Sequence, residues 1–281
     1  MRTRNSGVGL VSCSGGMRWA LIADGEYAYE HPYALLCPDL GAEDAATWFA
    51  GHDCGKLTAS CWVSHYSCLL VQSAGKTVLV DTGGGGIAPT TGWLMESLAP
   101  LDVDPARVDC VVLTHGHPDH VCGCLDGKGR PAFPYARHVL AAREWEYWSG
   151  EPDLACVPAS EHVREFMRRM FRENVPPLGD ALELVRGRVE VAPGVEVFPA
   201  PGHTPGHMAV ALRRDDGVFV YAGDAFLTPA HERRPQCRTG IDYDHASATR
   251  SREAILREVK GRFERILGFH YPRPLLARRM A

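Results

Sequence analysis

The apolar positions of this chain fall first into short strand-like runs, with helical stripes between and after them. Residues 68–72 and 77–80 are β-rich apolar runs, and Ser73-Ala74-Gly75-Lys76 between them reads as a turn, which predicts a hairpin. The second strand ends at Asp81-Thr82 beside the glycine run 83–86, so an acidic side chain sits at a strand end next to a flexible loop. A helical stretch follows around 93–99. A buried strand is then expected over 108–113, running directly into Thr114-His115-Gly116-His117-Pro118-Asp119-His120. A short helix fits 141–148. Val163, Phe166, Met167, Met170 and Phe171 recur at helical spacing in an otherwise charged segment. That stripe reads first as core packing and second as a pocket wall or dimer face. Further strands are expected at 189–191, 195–199 and 208–212. Asp215-Asp216-Gly217 turns into a strand at 218–221, which ends at Ala222-Gly223-Asp224. A helix over 247–267 and a short strand over 267–270 complete the pattern. Strands therefore come in two series, each followed by helices, and ligand-type side chains cluster where strands end.

Composition narrows the class. A chain of 281 residues, 45% hydrophobic and 23% charged, is ordinary for a globular protein with a substantial core. The net charge of -4 argues against nucleic acid as a partner, and no apolar run approaches the roughly 18 residues of a membrane span. Residues 246–281 hold nine Lys/Arg against three Glu, with the spacing of a solvated amphipathic helix and tail. The ten cysteines show no framework spacing, and the start of the chain is too polar for a signal peptide. Reduced thiols and a cytoplasmic location are the expectation. Residues 1–16 read as a loose extension, with Met17 offering an alternative start, and 17–281 as one domain.

The chemistry is concentrated in His115-x-His117-x-Asp119-His120. Four potential ligands within six positions, punctuated by Gly116 and Pro118 after a buried strand, are hard to explain by packing. Imidazole and carboxylate suit Zn²⁺, with iron or manganese also compatible. One loop supplies too few ligands for two ions. Others are on offer in Pro201-Gly202-His203-Thr204-Pro205-Gly206-His207, in Ala222-Gly223-Asp224 and in Leu267-Gly268-Phe269-His270, each just after an apolar strand. His31, His52, His65, His138, His162 and His245 have no metal-like context.

Asp81 in Val80-Asp81-Thr82-Gly83, the histidine-rich loop, His203, Asp224 and His270, in that order, resemble the five motifs of the metallo-β-lactamase superfamily over about residues 68–272. The resemblance implies an α/β fold, an αββα four-layer sandwich with two zinc ions at one edge. It implies His115, His117 and His203 on the first metal, Asp119, His120 and His270 on the second, and Asp224 bridging. Asp81 would orient the ligand loop, and His207 would support the site. Asp119 and Asp224 are the expected catalytic residues: the metals would share an activated water, and Asp119 would pass a proton to the leaving group. Cys122 and Cys124 lie just past the loop and are expected to play no part in binding, since seven ligands already fill two sites.

Within the superfamily, Asp224 counts against a true β-lactamase, and His117 stands where a flavin-dependent di-iron reductase would carry glutamate. The segment from Asp242-Tyr243-Asp244 through Thr249-Arg250, ending in Gly268-Phe269-His270-Tyr271-Pro272, is similar to the lactonase and organophosphate-hydrolase branch, with Phe269-His270-Tyr271-Pro272 the more telling piece. The quorum-signal lactonases carry a tyrosine soon after the bridging aspartate, whereas here Ala225, Phe226 and Leu227 follow. The expectation is a lactonase or esterase acting on a moderately apolar small molecule, with Phe226 and the Met/Phe side chains of 163–171 near the substrate. Loops at roughly 26–66 and 145–180 would shape the pocket. A glyoxalase-II-like thioesterase and a mononuclear-iron sulfur dioxygenase are the alternatives, and a homodimer through the apolar stripe is a second arrangement.

Overall fold

A computed structural model describes residues 10–14 and 16–280 of the chain. Its strands are β1 (Leu10–Ser14), β2 (Met17–Glu30), β3 (Cys61–Ser73), β4 (Lys76–Val80), β5 (Cys110–Val112), β6 (Arg137–Ala141), β7 (Leu182–Val185), β8 (Val189–Ala192), β9 (Val195–Pro199), β10 (Met208–Arg214), β11 (Gly217–Tyr221) and β12 (Ile266–Leu267). Its α-helices are α1 (Tyr33–Leu36), α2 (Ala42–Ala50), α3 (Leu94–Leu98), α4 (Pro118–Val121), α5 (Ala142–Ser149), α6 (Glu161–Asn174), α7 (Pro229–Arg233), α8 (His245–Glu258) and α9 (Arg273–Met280).

Strands β1 to β7 lie side by side in chain order as one sheet, and β12-β11-β10-β9-β8 form a second. The first sheet is antiparallel up to β4 and parallel from β4 to β7. The central strands read as continuous apolar runs because both faces are buried: Val78, Leu79 and Val80 of β4, and Cys110, Val111 and Val112 of β5, are at most 1% exposed. Trp19 of β2 meets Phe219 of β11 at 5.2 Å between ring centroids, so side chains of the two sheets share one core. Helices α3 and α5 pack on the first sheet and α8 on the second. This is the expected α/β architecture of two sheets and helices.

Several elements differ from the sequence reading. Leu10–Ser14, read as part of a loose extension, pairs antiparallel with the start of β2 as an edge strand. Residues 1–9 and 15 of that extension lie outside the described residues. The hairpin at 68–80 is the inner end of much longer strands: β2 and β3 pair from Met17↔Ser73 out to Glu30↔Cys61, with a bulge at Ala23/Gly25. The segment 26–66 is therefore two strand arms joined through α1 and α2, where loops were expected. The helix expected over 247–267 stops at Glu258, because Lys260 and Gly261 adopt φ of 53° and 71°, outside helical space. Only Ile266 and Leu267 then pair, parallel with β11, which leaves His270 in the bend beyond the last strand.

One buried carboxylate ties the loops of the two halves together. Glu144 of α5 accepts from the Gly116 backbone at 2.8 Å and the Trp148 indole at 2.7 Å with one oxygen. Its other oxygen accepts from Thr204 Oγ1 and the Gly206 backbone, both at 2.8 Å. The approach is so close that only glycine fits. A Cβ on Gly116 would lie 2.5 Å from Trp148, and one on Gly206 would lie 2.2 Å from the Glu144 backbone nitrogen. Truncation of Glu144 leaves these donors buried without an acceptor. Glu144→Ala is expected to lower the unfolding free energy by about 3–4 kcal/mol in urea melts. A loss under about 1 kcal/mol would show that the clamp contributes little.

Candidate metal centre

Every ligand loop begins where a strand stops. Asp81 follows β4, the 114–120 loop follows β5, the 201–207 loop follows β9, Asp224 follows β11 and His270 follows β12. These strand ends gather seven side chains in two groups. His115, His117, His203 and Asp224 form one, and Asp119, His120 and His270 form the other. Within each, one ligand-type atom per residue lies within 4.8 Å of the others. All seven residues singled out from the sequence are brought together.

The inner atoms are crowded in a way that hydrogen bonding does not satisfy. His117 Nδ1 lies 2.9 Å from His115 Nε2 and 3.0 Å from His203 Nε2. A ring nitrogen offers one proton or one lone pair, so it cannot pair properly with both. His120 Nε2 and Asp224 Oδ1 are buried, face each other at 3.3 Å and have no hydrogen-bond partner among the described residues. Asp224 Oδ2 lies 3.0 Å from His270 Nε2 and 3.4 Å from His203 Nε2, so this carboxylate reaches members of both groups. Lone pairs converging on two points, with a carboxylate between them, fit a pair of cations.

Electrostatics point the same way. Burial, with the neighbouring imidazoles, drives His115 and His117 well below the ordinary imidazole value and keeps them neutral, as ligation requires. At His120 burial acts against charge, yet Asp224, Asp81 and Asp119 outweigh it and raise the group well above its usual value. Asp224 is likewise disfavoured by burial, but His270 and His120 hold it well below the usual carboxylate range. The carboxylates thus demand positive charge in a buried place.

Outside the cluster, other side chains aim the rings. His120 Nδ1 is 2.9 Å from Asp81 Oδ2, His270 Nδ1 is 2.7 Å from Ser64 Oγ, and His115 Nδ1 is 3.1 Å from Thr114 Oγ1. Asp81 also accepts from the Thr114 backbone at 2.8 Å and from Tyr221 Oη at 3.2 Å, and it holds φ at 62°, a conformation aspartate tolerates better than most residues. His207 is in neither group. Its Nδ1 is 3.1 Å from the Ala200 carbonyl, and its Nε2 accepts from the Asp224 backbone at 3.1 Å, which fixes the Asp224 turn.

Sequence reasoning missed Ser64 and Glu144, and it gave no role to Asp242. The last is buried, paired with Arg252 at 2.7 Å and 3.8 Å from His203 Nδ1. Lone residues of ordinary types, they carry no spacing signal. Cys122 and Cys124 are in neither metal group. Cys124 Sγ lies 3.5 Å from Thr82 Oγ1, and burial pushes its thiol up to about 12, so it stays protonated.

A cleft of about 780 Å³ opens onto His117, Asp119, Asp224 and His270. Val163, Phe166 and Met167 of α6 line it, so part of the apolar stripe is a pocket wall, while Met167 and Phe171 are also buried in the core. Phe226, expected against substrate, is fully buried in the core and does not line the cleft; the turn after Asp224 sends Leu227 there instead. His31, read as ordinary, stands on the cleft wall.

The sequence pattern of the Metallo-beta-lactamase superfamily matches residues 62–270. The chain is 22% identical over 214 residues to an N-acyl homoserine lactonase of Bacillus sp, covering 68% of this chain and 76% of that one. It is 30% identical over 189 residues to Metallo-beta-lactamase domain-containing protein 1 of Homo sapiens, covering 66% of this chain and 56% of that one. It also matches a Caenorhabditis elegans protein at 24% identity over 162 residues, spanning 57% of this chain and 35% of that protein. Among solved structures, the hydrolase AbOPH of the beta lactamase superfamily superposes with a TM-score of 0.81 at 21% identity, covering 95% of this chain and 91% of that one. The dizinc quorum-quenching lactonase AidC superposes with a TM-score of 0.79 at 21% identity, covering 95% and 92%.

Two outcomes follow from the geometry. Asp81→Ala frees the His120 ring and is expected to weaken metal affinity about 10- to 100-fold, read by competition with a chromophoric chelator. Replacing Cys122 and Cys124 together by Ser is expected to leave metal content unchanged by elemental analysis. Loss of an ion from that variant would assign the thiols to the site.

Proposed function

The chain belongs to the metallo-β-lactamase superfamily, and from that premise we propose that it is a dinuclear zinc hydrolase that opens lactones or cleaves related carboxylic esters of small, largely apolar molecules. The observation that carries this reading is the lining of the cleft. Tyr29, Trp62, Phe166, Met167 and Ile241 wall it, and no Lys or Arg is among its lining residues. Beyond the ion-binding groups, the phosphate or glutathione arm of a substrate would meet no Lys or Arg there. A neutral ester with an apolar arm would bury that arm against aromatic and aliphatic surface, at roughly 25 cal/mol per Å².

Two ions held by the groups described would supply Lewis acidity and lower the pKa of water at the site. The chain's own residues do the rest. Asp224 spans both groups and would set their separation. Asp119 is the more exposed of the two site carboxylates on the cleft, with its side chain 13% exposed against 4% for Asp224 and Oδ2 3.4 Å from His270 Nε2, so it is placed to take a proton and return it to the leaving oxygen. Apolar walls exclude bulk water and strengthen these interactions.

The thioesterase alternative lacks support from basic residues in the cleft. The mononuclear-iron alternative would leave Asp119, His120 and His270 without a task, although Asp81 and Ser64 orient two of them. Support for zinc comes from the donor set of imidazoles and carboxylates.

The test is a metal assay with a panel of lactones, carboxylic esters, thioesters and phosphotriesters. About two zinc ions per chain and turnover of lactones or esters are expected. One iron per chain with oxygen uptake would overturn the reading. Asp224→Ala is expected to lower kcat at least about a thousandfold while the circular-dichroism spectrum is kept, and full activity with a single ion would refute the two-ion arrangement.

A further inference from the structure

One pair of hydroxyls in the cleft has no task in the account so far. Side chains alternate along a strand, so Trp62, Ser64 and Tyr66 of β3 share one face, and the register sets Tyr27 opposite Ser64 and Tyr29 opposite Trp62. That face meets the metal-binding residues. Ser64 holds His270, and the rings of Trp62 and Tyr66 lie 5.8 and 5.4 Å from the His270 ring. Tyr29 Oη and Tyr66 Oη are 3.1 Å apart, and both residues line the cleft alongside Asp119 and Asp224.

Counting protons shows what this pair offers. Two phenols carry two O–H groups, and the bond between them uses one. Tyr66 is 2% exposed, and Tyr29 Oη is the hydrogen-bond partner its hydroxyl has among the described residues. A buried O–H without an acceptor is costly, so Tyr66 donates to Tyr29. Tyr29, half-buried at the cleft, keeps its own O–H for a ligand. Apart from Tyr27, which is 40% exposed, no other lining side chain carries a hydroxyl.

We propose that Tyr29 contacts the substrate and donates its O–H to the carbonyl oxygen of a bound ester or lactone, with Tyr66 as a positioning residue that fixes and polarises that hydroxyl. The proposal rests on the ester-hydrolase reading above. As the oxygen of water adds to the carbonyl carbon, negative charge builds on the carbonyl oxygen, so the Tyr29 bond strengthens on the way to the transition state. The same O–H binds one oxygen of the product carboxylate.

The experiment compares metal-loaded wild type with Tyr29→Phe, Tyr66→Phe and the double variant. It measures kcat and KM on the ester or lactone turned over fastest and, separately, hexanoate affinity by calorimetry. Tyr29→Phe is expected to lower kcat about tenfold to a hundredfold with little change in KM, and to weaken hexanoate at least about fivefold, with metal content unchanged. Tyr66→Phe is expected to cost less. The double variant should be no worse than Tyr29→Phe, since both residues act through one O–H. Wild-type kcat and hexanoate affinity in Tyr29→Phe overturn the proposal, as do strictly additive losses with a lowered melting temperature, which mark a packing role. If the wild type turns over no lactone or ester while Tyr29→Phe still weakens hexanoate, the ester-hydrolase reading fails and the donor assignment stands. Turnover that Tyr29→Phe leaves untouched is the reverse result.

Discussion

The metal centre depends on hydrogen bonds made by imidazoles on the side facing away from the ions. An imidazole is a useful ligand only if its ring is aimed and its tautomer set, and both are decided by the nitrogen that does not ligate. Here Asp81 aims His120 from 39 residues away, and Ser64 aims His270 from 206 residues away. The chain thus orders these rings with the energy of folding, and binding a cation has less freedom to remove. Glu144 does the same for the backbone of two loops, which is why a carboxylate sits buried among glycines that leave it room.

The arrangement carries an electrostatic debt that only positive charge settles. Asp81, Asp119 and Asp224 crowd around His120 in a place with little water, and the two inner atoms that face each other there, His120 Nε2 and Asp224 Oδ1, have no hydrogen-bond partner among the described residues. The buried strand ends explain how the fold sustains it: each loop begins at the end of a strand whose own backbone bonds are secure, so the strain is confined to loop residues such as Asp81.

Much of this was legible in the sequence, and the reason is chemical. The ligands are histidine and aspartate in short loops with glycine and proline, a pattern that packing does not produce, so all seven were found before the fold was known. What aims them was not legible. Ser64 and Glu144 are single residues inside ordinary strand and helix sequence, and their roles exist only once residues far apart in sequence are adjacent in space. Phe226 was misplaced for a related reason. Proximity to Asp224 in sequence was read as proximity to the cleft, but at a tight turn successive side chains diverge, and Phe226 falls into the core while Leu227 reaches the cleft. The arms of β2 and β3 were read as loops because their exposed and polar residues interrupt the continuous apolar runs of the inner strands. That break is the signature of a strand that leaves the core and walls a cleft.

This last point bears on where specificity resides. The metal-binding residues sit at strand ends that the whole architecture fixes. The cleft is shaped elsewhere, by Tyr27 and Tyr29 of β2, Trp62 and Tyr66 of β3, and Val163, Phe166 and Met167 of α6. Of these, Trp62 and Tyr66 also pack on the His270 ring, at 5.8 and 5.4 Å between ring centroids, whereas Val163, Phe166 and Met167 belong to a separate helix. A wall of aromatic rings without Lys or Arg selects for shape and apolar area more than for charge.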